Sequence, residues 1–293
     1  MGIDIHLKAG IAQIDSRVGD LAHNMQVHLQ LIAEAGNAGV ELLLFPELSL
    51  TGYGLGNAVP DIALERDSPA VLKLAQAAGG MTVVFGFVEE APAAQFYNAA
   101  AVIKNGQLVH VHRKVNLPSY GRLEEGKLFA AGQRVETFDV ARPWTAGLLT
   151  CADLWNPALV HLSMVQGATL LLAPVNSAVG AVSDEFSNPR GWDLATRFYA
   201  MMYGAPILMA NRIGSEGPVR FWGGSRIVDP FGEILAQSAD DSPCLLTAEL
   251  NYSHVRNARF QLPTLRDSNL PLVHREMSRL MAQHNLPDIG ERP

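Results

Sequence analysis

A chain of 293 residues with 48% hydrophobic and 17% charged residues carries enough apolar side chains to bury a core, which excludes a disordered or low-complexity protein. A formal net charge of -7 with no basic cluster argues against a nucleic-acid partner. Two cysteines, Cys151 and Cys244, allow one bridge but no disulfide framework, and no apolar run approaches the length of a membrane span.

The first residues, Met-Gly-Ile-Asp-Ile-His-Leu-Lys, lack the charged-then-apolar order of a secretory signal. Gly2 does not make a myristoylation site, because His6 stands where that motif needs Ser or Thr. A reduced, cytoplasmic protein that does not engage a membrane is the expectation.

Segment 5–14 alternates with period two and predicts a first strand. Asp20 is a plausible N-cap for an apolar-periodic helix over 21–38 that Gly39 stops. Glu41-Leu-Leu-Leu-Phe45 fits a buried parallel strand, and Pro46-Glu47 opens a glycine-punctuated loop through Tyr53. A helix over 69–79 and a strand over 81–88 follow. Asn105-Gly106 between apolar stretches 97–103 and 108–112 signals a hairpin.

His112-Arg113-Lys114 leaves that hairpin for a loop holding Gly121 and Gly126. A strand at 147–150 runs into Cys151, followed by a helix near 157–166 and a buried strand over 169–176. A helix at 191–203, a strand at 206–210, strands at 224–229 and within 233–248, and a helix near 272–284 complete the pattern. Strands and helices alternate, so the class is α/β with layered sheets. No low-complexity linker or solenoid repeat divides the chain; residues 1–293 read as a single domain, with 268–293 as a tail used in packing or oligomer contacts.

Three chemically capable residues stand at the ends of apolar strands or hairpins: Glu47, Lys114 and Cys151. Strand ends are where α/β sheets bind ligands. Cys151 at a strand-to-helix turn would aim the Ala152 N–H at whatever the sulfur attacks, and a helix start would lower the thiol pKa. Each residue also has a plain structural use. Cys151 alone reads as an inert buried thiol, Glu47 as a solvent-facing loop carboxylate, and Lys114 as part of a basic hairpin edge. Together they offer a base, a cation and a nucleophile for covalent acyl transfer to water.

Three motifs in order make the chain resemble the nitrilase superfamily of carbon–nitrogen hydrolases. They are Phe45-Pro46-Glu47-Leu-Ser-Leu-Thr51-Gly52-Tyr53; Arg113-Lys114-Val-Asn-Leu-Pro118 followed by Glu124-Glu125 and Phe129-Ala-Ala-Gly132; and Thr150-Cys151-Ala-Asp153-Leu-Trp155-Asn-Pro157. Lesser echoes run through Pro174-Val-Asn176, Ala210-Asn211-Arg-Ile-Gly214 and Leu262-Pro-Thr-Leu-Arg266-Asp267, so the resemblance covers nearly the whole chain.

The resemblance implies a four-layer α-β-β-α sandwich. It implies Glu47 as general base, Lys114 and the Ala152 N–H as oxyanion donors, and Cys151 as the nucleophile of a thioester acyl-enzyme. It implies Glu125, or Glu124 one residue earlier, as a supporting glutamate. Tyr53, Tyr120, Trp155 and Asn176 are expected near the pocket, as substrate contacts or as packing. No metal or organic cofactor is implied, and family members pair into homodimers or larger homo-oligomers.

Departures narrow the expectation. Ala152-Asp153 replaces the Trp-Glu of true nitrilases, which disfavours nitriles, and the ω-amidase pattern matches only at Asp153-Leu154. Leu117-Pro-Ser-Tyr120-Gly121 and Asp153-Leu-Trp155 echo the glutamine amidase part of NAD synthetases, but no ATP-binding loop accompanies them. A stand-alone amidase that releases ammonia from a small amide is the leading reading. Rivals are an N-carbamoyl amine or amino-acid hydrolase, a non-catalytic binding member of the fold, and an acyltransferase. Specificity is expected from loops 53–68, 119–128 and 177–191.

Other signals carry less. Gly52, Gly54 and Gly56 lack dinucleotide-site spacing. His110 and His112 share a strand face but have no third ligand in view. Cys244 reads as a buried structural thiol. The run Phe198–Tyr203 reads as a core helix face rather than an interface stripe.

Overall fold

The computed structural model describes residues 5–284. Residues 285–293 of the expected tail and the first four residues of the chain lie outside that range.

The first strand, β1 (His6–Gln13), leads into helix α1 (Leu21–Asn37). Asp20 caps that helix by accepting from the His23 backbone N–H at 3.0 Å, as its position predicts. Strand β2 (Leu42–Leu44) follows, then the short helix α2 (Val59–Ile62) and α3 (Pro69–Ala78). Strands β3 (Thr82–Ala91), β4 (Gln95–Lys104) and β5 (Gln107–Arg113) form a meander. Its last turn places both Asn105 and Gly106 at positive φ, 50° and 72°, the backbone that Asn-Gly hairpins favour.

The second half repeats the plan. Strands β6 (Thr137–Ala141) and β7 (Trp144–Leu148) precede helix α4 (Pro157–Val165) and β8 (Leu170–Val175). Helix α5 (Asn188–Tyr203) leads to β9 (Ile207–Asn211), a separate hairpin of β10 (Ile213–Glu216) and β11 (Val219–Trp222), then β12 (Arg226–Val228), β13 (Ile234–Gln237) and β14 (Cys244–Asn251). Helices α6 (Tyr252–Gln261) and α7 (Leu270–Gln283) close the described chain.

The strands make two six-stranded mixed sheets, ordered β14-β1-β2-β3-β4-β5 and β13-β12-β9-β8-β7-β6. Leu42, Leu44, Val84 and Val102 of the first sheet face Leu148, Leu172, Leu208 and Ile227 of the second across one dry core. Leu43, Val83 and Phe85 point the other way, onto Met25 and Ile32 of α1 and Leu74 of α3. Leu171, Ile207 and Met209 likewise meet Val160 of α4 and Trp192 of α5. Strands buried on both faces explain the unbroken Leu-Leu-Leu runs at 42–44 and 170–172. The result is the expected four-layer α-β-β-α sandwich.

The structure departs from the sequence reading in several places. Strand β7 spans Trp144–Leu148, so Leu149 and Thr150 belong to the turn before Cys151. Strand β6 alternates over only five residues, with Phe138 and Val140 buried, and is absent from the sequence reading; the hairpin β10–β11 has few apolar positions, and in the ladder of the described residues it pairs with itself and meets the rest through one bridge between Phe221 and Ala178. Helix α6 buries only Val255 and Ala258, so its stripe is too narrow to read. The run at 198–203 splits across its helix: Tyr199 and Ala200 face the core, whereas Phe198 is 52% and Met201 45% exposed. Cys244 is half-buried rather than fully buried.

Candidate active site

The sheet plan brings together residues far apart in the chain. Glu47 sits in the turn that follows β2, under which β3 passes very closely. A Cβ on Gly86 would lie 2.1 Å from the Leu48 backbone nitrogen, so only glycine fits there. Glu47 is 1% exposed. Its Oε1 accepts from Lys114 Nζ at 2.6 Å and from Asn98 Nδ2 at 2.7 Å. Its Oε2 is buried with no partner.

Lys114 is the first residue beyond β5, and its side chain is fully buried. Nζ also donates to Glu125 Oε1 at 2.8 Å, and that oxygen accepts from the Tyr53 hydroxyl at 2.7 Å. Burial alone would strip the Lys114 proton, but the charges of Glu125 and Glu47 outweigh it and hold the ammonium well above the usual lysine range. Burial also raises the Glu125 carboxyl, with Lys114 opposing. Glu124 is instead on the surface, paired with Lys127 at 2.7 Å. A 3₁₀ turn over Glu125–Lys127 separates the two neighbours.

Cys151 opens a 3₁₀ turn, Cys151–Trp155, and holds φ at 46°, a left-handed backbone that costs about 1–3 kcal/mol for a residue with a Cβ. The turn therefore presents the sulfur under local strain. The expected lowering of the thiol pKa does not occur. Burial first, and the Glu47 charge second, push the Cys151 thiol well above the usual cysteine range, and Lys114 does not offset them. A five-residue turn has too little dipole to win against desolvation.

Asp153, fully buried, fastens the cysteine turn to the lysine strand. Its Oδ1 accepts from the backbone N–H groups of Val115 at 3.0 Å and Asn116 at 2.7 Å. Its Oδ2 accepts from His112 Nε2 at 2.8 Å and from the Thr150 N–H at 3.1 Å. His112 is thereby a support for this carboxylate, and the ring of His110 stacks on Phe138 instead of joining it. Among the described residues, no group of three or more His, Cys, Asp or Glu side chains has the arrangement to hold a metal ion.

A small cavity of about 20 Å³ opens over Cys151. Tyr53, Tyr120, Ala152, Trp155 and Asn176 line it, as does Glu125, so the sequence-predicted residues gather here. Tyr120 is 47% exposed at the rim. Loops 119–128 and 177–191 supply walls, but of 53–68 only Tyr53 does. Larger hollows around His110 and around Cys244, about 440 and 460 Å³, lie away from the charged cluster. Volume does not decide between them; only the small cavity has a thiol beside buried partnered charges.

Sequence reasoning missed Asn98, Ser177, Asn188 and Trp192, which complete the site or its walls. Asn98 had one signal: a lone amide inside the apolar strand Tyr97-Asn-Ala-Ala-Ala101, which must find buried partners.

This sandwich, with its buried carboxylate–ammonium–thiol cluster at the strand ends, defines an enzyme of the nitrilase superfamily. The chain belongs to the carbon–nitrogen hydrolase family, whose sequence profile matches residues 8–260. It is similar to a glutamine-dependent NAD(+) synthetase of Thermotoga maritima, at 29% identity over 78% of this chain, and it spans only 39% of that protein's length. It is also similar to an N-carbamoylputrescine amidase of Arabidopsis thaliana, at 26% identity over 85% of this chain and 88% of that one. Among solved structures, a mutant amidase of Nesterenkonia sp. AN1 carries the acetamide moiety of fluoroacetamide on its active-site cysteine. It superposes with a TM-score of 0.77 at 26% identity, over 94% of this chain and 99% of the other.

Proposed function

We propose that this carbon–nitrogen hydrolase cleaves the C–N bond of a small amide through a Cys151 thioester and releases ammonia. The single observation that carries the reading is the free Oε2 of Glu47, a buried carboxylate oxygen with no partner beside a thiol held in its protonated form. A thiol raised by burial needs a base within the site, and Glu47 has an oxygen to spare for it. The covalent adduct on the cysteine of the Nesterenkonia amidase supports the same role for Cys151.

The steps follow from the contacts. Glu47 takes the Cys151 proton as sulfur bonds to the amide carbon. The oxyanion is stabilised by Lys114 Nζ and the Ala152 N–H. The protonated Glu47 then gives its proton to the amide nitrogen as the C–N bond breaks, and ammonia leaves. Water, deprotonated by Glu47, attacks the thioester; the carboxylic acid departs and the proton returns to sulfur. Lys114 stays charged throughout because Glu125 and Glu47 flank it. Tyr53 fixes Glu125, which keeps that carboxylate on the lysine rather than on substrate.

Glycine-rich access loops and a single continuous sandwich fit a one-domain amidase. Leu194, Phe198 and Met201, exposed along one stripe of α5, fit a homodimer contact. Two unbridged cysteines fit a reduced, cytoplasmic setting, and no helix among the described residues is long and apolar enough to cross a membrane.

The test is ammonia release from aliphatic amides, ω-amides, glutamine, N-carbamoyl compounds and nitriles, with Cys151→Ala run beside the wild type. Turnover lost by at least about 10⁴-fold in the mutant is expected, since removing a covalent nucleophile costs on that order or more. Turnover that survives intact sinks Cys151 as nucleophile.

A further inference from the structure

The hairpin of β10 and β11 belongs to neither six-stranded sheet, yet it stands behind the walls of the cavity over Cys151. Phe221, on β11, is buried with Ala178 and Ala181, and Tyr53 and Leu123 pack on the same cluster. Tyr53, Leu123 and Ala181 line the cavity, with Phe221 in the layer behind them. Tyr53 follows β2, Leu123 follows β5 and Ala181 follows β8, so one apolar cluster backs wall residues from separate parts of both sheets. None of these wall residues lies in a strand, so packing from behind is what fixes each one.

The Phe221 ring is gripped in its turn. The Arg212 guanidinium sits over its face, 4.4 Å from the centroid, and the Tyr53 ring meets it at 6.3 Å and 74°. Arg212 is itself buried and is held by Glu216, by the Ser16 carbonyl and by Asp15 at 3.3 Å. Glu216 Oε2 accepts from the Gly54 N–H at 3.0 Å, one residue beyond Tyr53. The hairpin also ties down the loop after β8: the Val179 N–H donates to the Arg220 carbonyl at 2.9 Å, and Trp222 Nε1 donates to Ser177 Oγ at 3.2 Å. The Arg122 N–H donates to the Ala181 carbonyl at 3.0 Å, which passes that hold on to the loop after β5.

A wall fixed from behind matters because the cavity is tight. About 20 Å³ is room for about one water, so a shift of a wall by the width of a methyl group decides which acyl group enters. We propose that the β10–β11 hairpin sets the size limit on the acyl group of the substrate amide, admitting short aliphatic chains ahead of branched and aromatic ones. This rests on the amide-hydrolase reading and narrows its substrate class. Phe221, Arg212 and Glu216 are positioning residues: they act through Tyr53, Leu123 and Ala181 rather than on substrate.

The experiment reads size ratios in two ways. Ammonia release is measured for acetamide, isobutyramide, benzamide and glutamine. Alkylation of Cys151 by iodoacetamide and by N-phenyl iodoacetamide is followed by mass spectrometry of its own peptide, each rate divided by that of the reagent with free cysteine. In the wild type, acetamide is expected to exceed isobutyramide and benzamide in kcat/KM by about tenfold or more, the discrimination a close-fitting apolar pocket supplies, and the smaller reagent to label faster. Phe221→Leu and Phe221→Ala open a growing void behind the walls, into which they withdraw. Both ratios are expected to fall towards one, by about threefold or more in Phe221→Leu and further in Phe221→Ala. Glu216→Ala releases Gly54 and Arg212 without touching the apolar cluster, and is expected to move both ratios the same way by less. A general loss of folded protein lowers every rate alike and leaves the ratios where they were, and Glu216→Ala carries the test if the Phe221 variants fail to fold.

Wild-type ratios near one, ratios that no soluble variant shifts, or benzamide or glutamine as the best substrate overturns the inference while leaving the hydrolase intact. Ammonia from none of the amides, with Cys151→Ala indistinguishable from wild type, is failure of the amide-hydrolase reading itself. The labelling ratio does not depend on turnover, so it still reports the walls in that case, and a ratio the variants leave unmoved overturns the inference on its own.

Discussion

The two halves of the sandwich contribute different things to one site. The first sheet and its exits supply charge: Glu47 after β2, Asn98 on β4 and Lys114 after β5, locked together at 2.6–2.7 Å. The second supplies the strained sulfur after β7 and a neutral wall from the end of β8 and the start of α5. Within the cluster of Glu47, Asn98 and Lys114, the buried side-chain atoms left without a partner are Glu47 Oε2 and Asn98 Oδ1, and near the cysteine they are Thr150 Oγ1, Asn176 Oδ1, Asn188 Oδ1 and Trp192 Nε1. On the proposed mechanism the charged half carries the chemistry, and the second sheet shapes the cavity beside it.

The largest break in that division is expected at Glu47, the proposed base. Glu47→Gln keeps the shape and the bonds to Oε1 but removes the proton acceptor. A fall in kcat of about 10²–10⁴-fold is expected, measured as ammonia release, with little change in the ranking of amides. Because the Cys151 thiol is raised by burial, iodoacetamide labelling of Cys151 at pH 7, read by mass spectrometry, also slows in this variant. Labelling as fast as wild type shows that the sulfur does not depend on Glu47.

Asp153 joins the two halves, and substituting it tests whether they need to be joined. Asp153→Asn turns an amide NH₂ toward donors that now find no acceptor, either His112 and Thr150 or Val115 and Asn116. The lysine and cysteine then drift apart by a fraction of an ångström. A loss of about 10²-fold in kcat with KM nearly unchanged is expected, since misplacement acts on the chemical step. A rise in KM alone with kcat intact shows that Asp153 does not align the two.

The smallest effect concerns the charged half's fold rather than its chemistry. His28, on α1, bonds Ser49 Oγ at 3.0 Å just beyond Glu47, and burial lowers its pKa to about 4. The unfolded chain protonates near 6.5 while the folded one resists. The stability from burying neutral His28 is therefore complete above pH 6.5 and is lost as pH falls from there toward 4, amounting to about 3 kcal/mol over that window. Thermal melting from pH 7.5 to 4.5 reads it. His28→Gln is expected to lower Tm at neutral pH and flatten its acid dependence, and an unflattened curve places the acid lability elsewhere.

Much of this was legible because strand ends announce themselves: Leu-Leu-Leu-Phe-Pro before Glu47, and a hairpin before Lys114. The choice between Glu124 and Glu125 was not, because a one-residue shift within a loop depends on a 3₁₀ turn that no periodicity marks. The thiol's direction of shift was misread because a turn sequence reveals a helix start but not how deeply it is buried. Asn188 and Trp192 were hidden inside an ordinary amphipathic helix, α5, whose first turn happens to face the cavity.

Asn176 closes one last circuit. It lines the cavity over Cys151, and its side-chain Nδ2 donates to the Glu47 carbonyl at 2.8 Å. Cys151 and Glu47 come from different sheets, so this residue is a rivet that can be set only once the two sheets have stacked. On the roles proposed for Cys151 and Glu47, activity belongs to the assembled sandwich and to neither sheet alone.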